Sequence, residues 1–326
     1  MKSYWMQVKE GKAQLELRDI DTPQPGPQQV LVRVHAAGLN RGEFILGHGL
    51  HGAGGAAKAV GMEAAGEVVS CGEGVHHVKP GDRVMGRCPG AFAHYVLMGA
   101  REIMPVPDGL SMEEAASIPL AFLVVYDILV QQGHLKADEW VLVTGASSGV
   151  GVASIQLAKA MGAKVIGTSG SAAKLEKLKL LGLDLGICTR KPDFLDATVS
   201  ATQGKGVNLA VNSVGGSVFA ECVRALAFEG RLATVGYVDG VLHADMDIEA
   251  LHAKRLTLYG VSNKLRTPEQ RAQGLPGFMA DVLPLFAAGK IKPVIDQVFA
   301  FDELAQAKSL MESNAHLGKI VLRVLP

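Results

Sequence analysis

The chain is poor in several things that would each have pointed somewhere. Four cysteines in 326 residues, Cys71, Cys88, Cys188 and Cys222, are too scattered for a zinc ribbon or a disulfide framework. Net charge is missing as well, because 32 basic residues balance 32 acidic ones. With no basic run and aromatics at 5%, nothing gathers a nucleic-acid backbone or an anionic membrane surface. No apolar stretch approaches the roughly 18 residues needed to span a bilayer. The start, Met1-Lys2-Ser3-Tyr4-Trp5, lacks the apolar core of a signal peptide, so the expected compartment is the cytoplasm. Repeats and low-complexity tracts are absent too. What is present is a hydrophobic content of 48% over a length that allows two domains.

To about residue 110 the pattern is short, alternating and glycine-rich. Val30-Leu31-Val32-Arg33-Val34-His35 alternates as a half-exposed strand should, after the turn Gln24-Pro25-Gly26-Pro27. Further strands are expected at Gly66-Glu67-Val68-Val69 and Arg83-Val84-Met85, which together suggest a small barrel-like β domain. Gly47 to Gly61 carries little pattern and reads as a loop. Residues 112–133 read as helical and lead into a second domain. There, strands are expected at 140–144, 164–168, 207–211, 231–235 and 256–260, and helices at 171–182, 216–228 and 276–289. Alternation of this kind argues for an α/β fold with a doubly wound parallel sheet. The last 35 residues read strand, helix, strand, and Ile320 to Val324 is a candidate to rejoin the first domain.

The most informative stretch is Trp140-Val141-Leu142-Val143-Thr144-Gly145-Ala146-Ser147-Ser148-Gly149-Val150-Gly151. A buried strand ends in small residues and opens into a helix, the entry of a βαβ unit. Backbone N–H groups at such a helix start favour a phosphate, although the dipole itself contributes only about 0.3–2 kcal/mol. Ser147, Ser148, Gly149, Val150 and Gly151 are therefore candidates for dinucleotide binding. The end of the next strand then selects the nucleotide. NAD-specific folds place an acid about 20 residues after the turn to hold the ribose hydroxyls. Here the chain reads Gly167-Thr168-Ser169-Gly170-Ser171-Ala172-Ala173-Lys174, with no carboxylate. Ser169, Gly170, Ser171 and Lys174 would accept a 2′-phosphate that an acid would repel, so NADPH is the expected cofactor. A plainer reading, in which Ser171 caps a helix and Lys174 is a solvated charge, is compatible with it.

The glycine turn also fits the TGxxxGxG pattern of short-chain dehydrogenases, but those need a tyrosine with a lysine four residues on. None of Tyr4, Tyr95, Tyr126, Tyr237 and Tyr259 has one. Other motifs lead elsewhere: Ala37-Gly38-Leu39-Asn40, Gly61-Met62-Glu63-Ala64-Ala65-Gly66, Pro80-Gly81-Asp82-Arg83-Val84, Asn212-Ser213-Val214-Gly215-Gly216, Lys254-Arg255-Leu256-Thr257-Leu258, Gly289-Lys290-Ile291-Lys292-Pro293 and Gly318-Lys319-Ile320-Val321-Leu322. With these, nearly the whole chain resembles the medium-chain dehydrogenase/reductase superfamily, and within it the zeta-crystallin-like NADPH:quinone oxidoreductases. The resemblance implies a GroES-like barrel domain over 1–115 and 285–326 and a Rossmann domain over 116–284. It also implies a site in the cleft between them, and a homodimer.

Zinc alcohol dehydrogenases of the same superfamily need a thiolate, an imidazole and a further soft ligand. By the resemblance these positions fall at Asn40, Met62 and near Leu120, and only Cys88 lies near a structural-zinc loop. No metal site is expected. Without a Lewis acid, alcohol oxidation lacks a means to stabilise an alkoxide, whereas hydride addition to an electron-poor acceptor remains open.

The resemblance places Asn40 and Tyr126 at the nicotinamide, as catalytic or cofactor contacts, with Asn40 able to donate a hydrogen bond to a carbonyl or a ribose. Val124 stands where the family often has threonine, and the family's site tyrosine falls at Ile45, beside Phe44. Strand ends line the ligand in open α/β sheets, which nominates Asn212, Ser213 and Val214, then Val235, Gly236, Tyr237 and Val238, then Gly260 and Ser262. Arg190 stands where the family often adds a cation to the adenosine phosphate, and Lys319 is a candidate cofactor contact. His48 and His51 have no carboxylate or thiol beside them and suit a substrate-facing or solvated role better than a metal. Glu63 and Asp82 are expected to hold turns, and the cysteines to be small core residues.

The expected activity is NADPH-dependent reduction of a quinone, by hydride or single-electron transfer. Two alternatives remain open: an enoyl or 2-alkenal reductase acting on enones, and an NADPH-binding regulatory or structural protein without turnover.

Overall fold

The computed structural model describes residues 1–9, 12–44 and 56–324. Ile45, His48, His51 and most of the expected Gly47 to Gly61 loop lie outside the described residues. The chain divides into two units, Met1–Leu120 with Lys264–Pro326, and Ala121–Asn263. The return to the first unit comes at Lys264 rather than at residue 285. Helix Pro268–Ala272 belongs to the first unit, since Arg271 donates from Nε to Glu102 at 2.8 Å.

The first unit is built around strand Gln29–Gly38, longer at both ends than the expected 30–35. Val30, Val32 and Val34 are fully buried while Arg33 and His35 are not, but Leu31 on the second face is buried as well, so the expected alternation holds only from Val32 to His35. One side pairs antiparallel with Glu63–Cys71. The other side is shared: Tyr95–Gly99 takes the first half and Lys319–Arg323 the second. Register shifts at Leu31/Val32 and Val34/Ala36 add curvature. Arg83–Arg87 and Ile103–Pro105 extend the sheet, and Ile295–Ala300 runs parallel to Lys319–Arg323. The closing strand thus does rejoin the first unit. Strands Lys2–Lys9, Lys12–Asp19 and Lys58–Ala59 form a separate antiparallel sheet. Met6, Val32, Phe92, Met98 and Leu322 are among the buried residues of this unit's core.

The second unit holds a six-stranded sheet in the order Leu185–Cys188, Lys164–Ser169, Trp140–Thr144, Val207–Asn212, Leu226–Thr234, Thr257–Gly260. Every adjacent pair is parallel. The first strand in sequence lies between the second and the fourth, which is the doubly wound order and creates a switch point at its C-terminal end. The expected helix over 216–228 stops earlier, as Phe219–Ala225, because Leu226-Ala227-Phe228 is already strand. A short apolar run serves either element, and here pairing with Val207–Asn212 decides it.

The helical passage divides into Met112–Ala115, Pro119–Tyr126 and a π-helical segment, Asp127–Gln132. Tyr259 donates its hydroxyl to the Ile128 carbonyl at 2.7 Å, and Arg231 donates to the Gly133 carbonyl at 2.6 Å. Burial pushes the Tyr259 hydroxyl up, so it remains a donor. At Gly133 a Cβ would fall 2.1 Å from the Ile128 oxygen, so the segment closes only on glycine. Cys88 and Cys222 are buried core residues as expected, whereas Cys71 is half-buried and Cys188 is exposed.

Candidate functional site

Register brings together the first group of candidates. Ala64 faces Ala37 across an antiparallel pair, so Glu63 lies level with Gly38. Val321 faces Gly38 on the opposite edge, which sets Lys319 beside Leu39 and Asn40. The Lys319 ammonium is 6% exposed and donates to Leu39 O at 2.8 Å, Asn40 Oδ1 at 2.8 Å and Glu63 Oε1 at 2.6 Å. Glu63 is fully buried, and also accepts from Asn40 Nδ2 at 2.8 Å and from the Leu120 backbone N–H at 2.7 Å. Its carboxylate lies so close to Gly38 that a Cβ there would sit 2.6 Å from Oε1. Two of the positions likened to zinc ligands, Asn40 and Leu120, therefore do meet, through hydrogen bonds to the carboxylate of Glu63, the residue after Met62. Among the described residues no group of three or more His, Cys, Asp or Glu is arranged to hold a metal ion.

Two expectations change here. Glu63 belongs to this buried ionic cluster rather than to a turn, whereas Asp82 does hold one, accepting from Lys79 N at 2.9 Å. Lys319 was expected to reach a cofactor; its three N–H donors are spent on the protein. Sequence reasoning also passed over Glu43, which is 2% exposed and accepts from Asn40 N and Asn40 Nδ2, both at 3.1 Å. The available signal was spacing: an asparagine followed three residues later by glutamate resembles a helix-capping pair. Burial, eased only in part by those hydrogen bonds, pushes the Glu43 carboxyl up to about 8. At neutral pH Glu43 therefore keeps its proton, and the Lys319 ammonium pairs with the Glu63 carboxylate. The Cys88 thiol, also buried, is pushed up and stays protonated.

The second group lies at the C-terminal ends of the parallel strands. Helix Gly149–Ala160 starts on Ser148, whose Oγ accepts from Gly151 N at 3.0 Å. Ser147, Ser148, Gly149 and Val150 are half-buried, and Gly151 is buried. Gly145 takes a left-handed φ of 63°, and a Cβ on it would meet Ser213 Oγ at 2.8 Å. Ser213 donates to Thr144 O at 2.6 Å. Asn212 is fully buried; its Oδ1 accepts from Val214 N and Gly215 N at 3.0 and 3.1 Å and from Thr144 Oγ1 at 3.2 Å, while its Nδ2 donates to Gly215 O. Asn212 and Ser213 therefore brace the loops at the switch point. Thr144 and Asp239 are bracing groups the sequence reading missed; Asp239 accepts from Ser217 N at 2.9 Å and Val241 N at 3.0 Å. Val235 N donates to Asn212 O, while Tyr237 and Val238 are exposed at 42% and 51%. A Cβ at Gly236 or Gly260 would meet nothing within 4 Å, so this rim is open to a ligand. Ser262 follows two residues after Gly260, beyond the end of the last strand.

At the end of strand Lys164–Ser169, Ser171 caps helix Ala172–Lys179 by accepting from Lys174 N at 3.4 Å. The Arg190 side chain lies directly on Gly170: a Cβ there would be 2.1 Å from the Arg190 Nε. Arg190 and two serines thus gather at this strand end, and Lys174 stands in the first turn of the helix that follows. Thr189 donates its N–H to Ser169 O at 3.0 Å and its hydroxyl to the Asp193 carboxylate at 2.6 Å, so an acid stands just beyond Thr189. Tyr126 is buried at 5% exposure, where the π-helical segment begins.

Residues 26–108 match the family described as alcohol dehydrogenase GroES-like domain, and residues 149–275 the family described as zinc-binding dehydrogenase. Over 311 residues the chain is 34% identical to a phenolphthiocerol/phthiocerol polyketide synthase of Mycobacterium tuberculosis, covering 95% of this chain but spanning only 14% of that protein. It is 30% identical to the synaptic vesicle membrane protein VAT-1 homolog of Rattus norvegicus, over 95% of this chain and 80% of the relative. The Escherichia coli quinone oxidoreductase complexed with NADPH superposes with a TM-score of 0.88 at 27% identity, covering 99% of this chain and all of that one. The CurK enoyl reductase does so with a TM-score of 0.83 at 26% identity, covering 98% and 99% of the two chains. With both halves matched in one chain and a 30% identical relative covered over four-fifths of its length, the chain belongs to the medium-chain dehydrogenase/reductase superfamily of NAD(P)-dependent oxidoreductases.

Proposed function

We propose that the chain is an NADPH-dependent reductase of electron-poor acceptors, quinones first, which works without zinc. The observation that carries the cofactor choice is Arg190 lying on Gly170 between Ser169 and Ser171. Guanidinium and hydroxyl groups suit a 2′-phosphate, and Lys174 adds a further cation. Ser147 to Gly151 hold the pyrophosphate at the helix start, and Asn212 to Val214, Val235 to Val238, Gly260 and Ser262 line the nucleotide. Asn40 and Tyr126 face the nicotinamide. Bound NADPH supplies a hydride. The chain contributes orientation, since conjugation in the acceptor already favours addition. Asn40, Met62 and Leu120 offer neither thiolate nor imidazole, and an ammonium stands beside Asn40 and Glu63, a donor set that suits no zinc.

Likeness to an enoyl reductase and to a polyketide synthase supports a second acceptor class, α,β-unsaturated carbonyls. NADPH consumption on a panel of quinones and enones, with metal analysis of the same sample, tests the reading. Turnover of quinones without bound metal is expected, and turnover of enones alone selects the second class. Stoichiometric zinc contradicts the proposal. Tight NADPH binding without turnover of any acceptor leaves the regulatory or structural alternative. Quinones are expected to be reduced by a homodimer, which light scattering reads directly.

A further inference from the structure

An asparagine that faces a carbonyl serves it as a donor, but the partners of Asn40 leave it no hydrogen to give. An asparagine amide has two hydrogens on nitrogen and two lone pairs on oxygen. Lys319 can only donate, so the amide oxygen must face it. The acceptors of Glu63 and Glu43 fix the nitrogen on the opposite side, where its two hydrogens go to Glu63 Oε1 and Glu43 Oε1. Partner chemistry thus settles the amide's orientation, which is otherwise an open choice between two flipped forms. What remains to Asn40 is one unfilled lone pair on Oδ1.

We propose that Lys319 and Glu63 are positioning residues that make Asn40 an obligate hydrogen-bond acceptor. It receives a hydroxyl of the nucleotide's ribose and does not polarise the carbonyl of the acceptor substrate. The proposal rests on the reading that this chain binds NADPH. The ammonium does double duty: it neutralises Glu63, and it holds the amide oxygen in place. Lys319 and Glu63 are 256 positions apart and are brought together by the two edges of one strand.

The test compares NADPH dissociation constants, read by fluorescence, with steady-state constants for a quinone. Variants are Lys319→Met and the double Lys319→Met/Glu63→Gln. The single variant strands a buried carboxylate and can fail to fold; the double removes both charges and keeps the comparison open. The double variant removes both the ammonium and the carboxylate that together fix which end of the amide faces the nucleotide. The dissociation constant for NADPH is then expected to rise about tenfold, the loss of roughly one hydrogen bond, while the KM for quinone moves less than about twofold. A double variant that folds and binds NADPH as the wild type does overturns the proposal. So does one in which kcat and quinone KM change while NADPH affinity stands. A wild-type protein that binds NADPH but turns over no acceptor sinks the reductase reading instead, and leaves the affinity comparison intact.

Discussion

Glu43 is a carboxyl whose chemistry is set by enclosure. Its carboxyl is raised to about 8 while an unfolded glutamate releases its proton near 4.5. Between those values the folded chain binds more protons than the unfolded one, so Glu43 lowers stability as pH rises through that window. The slope it contributes reaches about 1.4 kcal/mol per pH unit. Urea unfolding from pH 5 to pH 8 is expected to show wild-type stability declining relative to Glu43→Gln, and a constant difference would contradict this. Gly38 gives a second prediction at this scale. A Cβ there meets Ala116 O at 2.5 Å and the Glu63 carboxylate at 2.6 Å, so Gly38→Ala must displace one of them. Overpacking of this kind destabilises by about 1–3 kcal/mol, measurable as a lowered midpoint, and is expected to weaken NADPH affinity as Glu63 moves. Asn40 was legible in the sequence because its motif carried it. Lys319 was singled out but for a cofactor contact, and the places of Glu43 and Glu63 were not legible, because tertiary pairing alone encloses such charged residues.

Among the elements, the glycine turn and its helix were readable because strand, small residues and helix period agree locally. The bracing of that turn by Asn212 and Ser213, which bond to Thr144 just before it, was not, since they come from the end of a different strand, 68 and 69 residues away. At Gly151 a Cβ would meet Ala146 and the Gly145 oxygen at 2.6 Å. Gly151→Val is therefore expected to push the helix start off the turn, lowering NADPH affinity at least tenfold in the same fluorescence titration. Far-UV circular dichroism should remain unchanged. The π-helical segment left no readable trace, since its geometry depends on Tyr259 and Arg231 from two later strands. Tyr259→Phe removes the hydrogen bond to the Ile128 carbonyl and should cost about 0.5–1.5 kcal/mol in urea unfolding. A cost near zero would mean that the segment holds without it. Strand Lys2–Lys9 shows no clean alternation, with Tyr4, Trp5 and Met6 in a row, whereas Lys12–Asp19 alternates Ala13, Leu15 and Leu17 with polar residues and was readable but passed over.

For the whole molecule, two units are joined by a chain that leaves the first after Leu120 and returns at Lys264. One unit carries the Asn40, Glu63 and Lys319 cluster, and the other the strand ends with Arg190. The division into a β-rich part and a doubly wound part could be read from the change in spacing near residue 110. The return point could not, because the helices before residue 285 belong to the first unit through contacts such as Arg271 with Glu102. The central claim is the choice of nucleotide, and it depends on Arg190 resting on Gly170. The most direct measurement is the ratio of NADH to NADPH dissociation constants for the wild type and Arg190→Ala. A wild-type preference for NADPH of at least about tenfold is expected, falling by about tenfold or more in the variant while NADH affinity changes little. Equal losses for the two nucleotides, or a wild type that prefers NADH, would contradict the account.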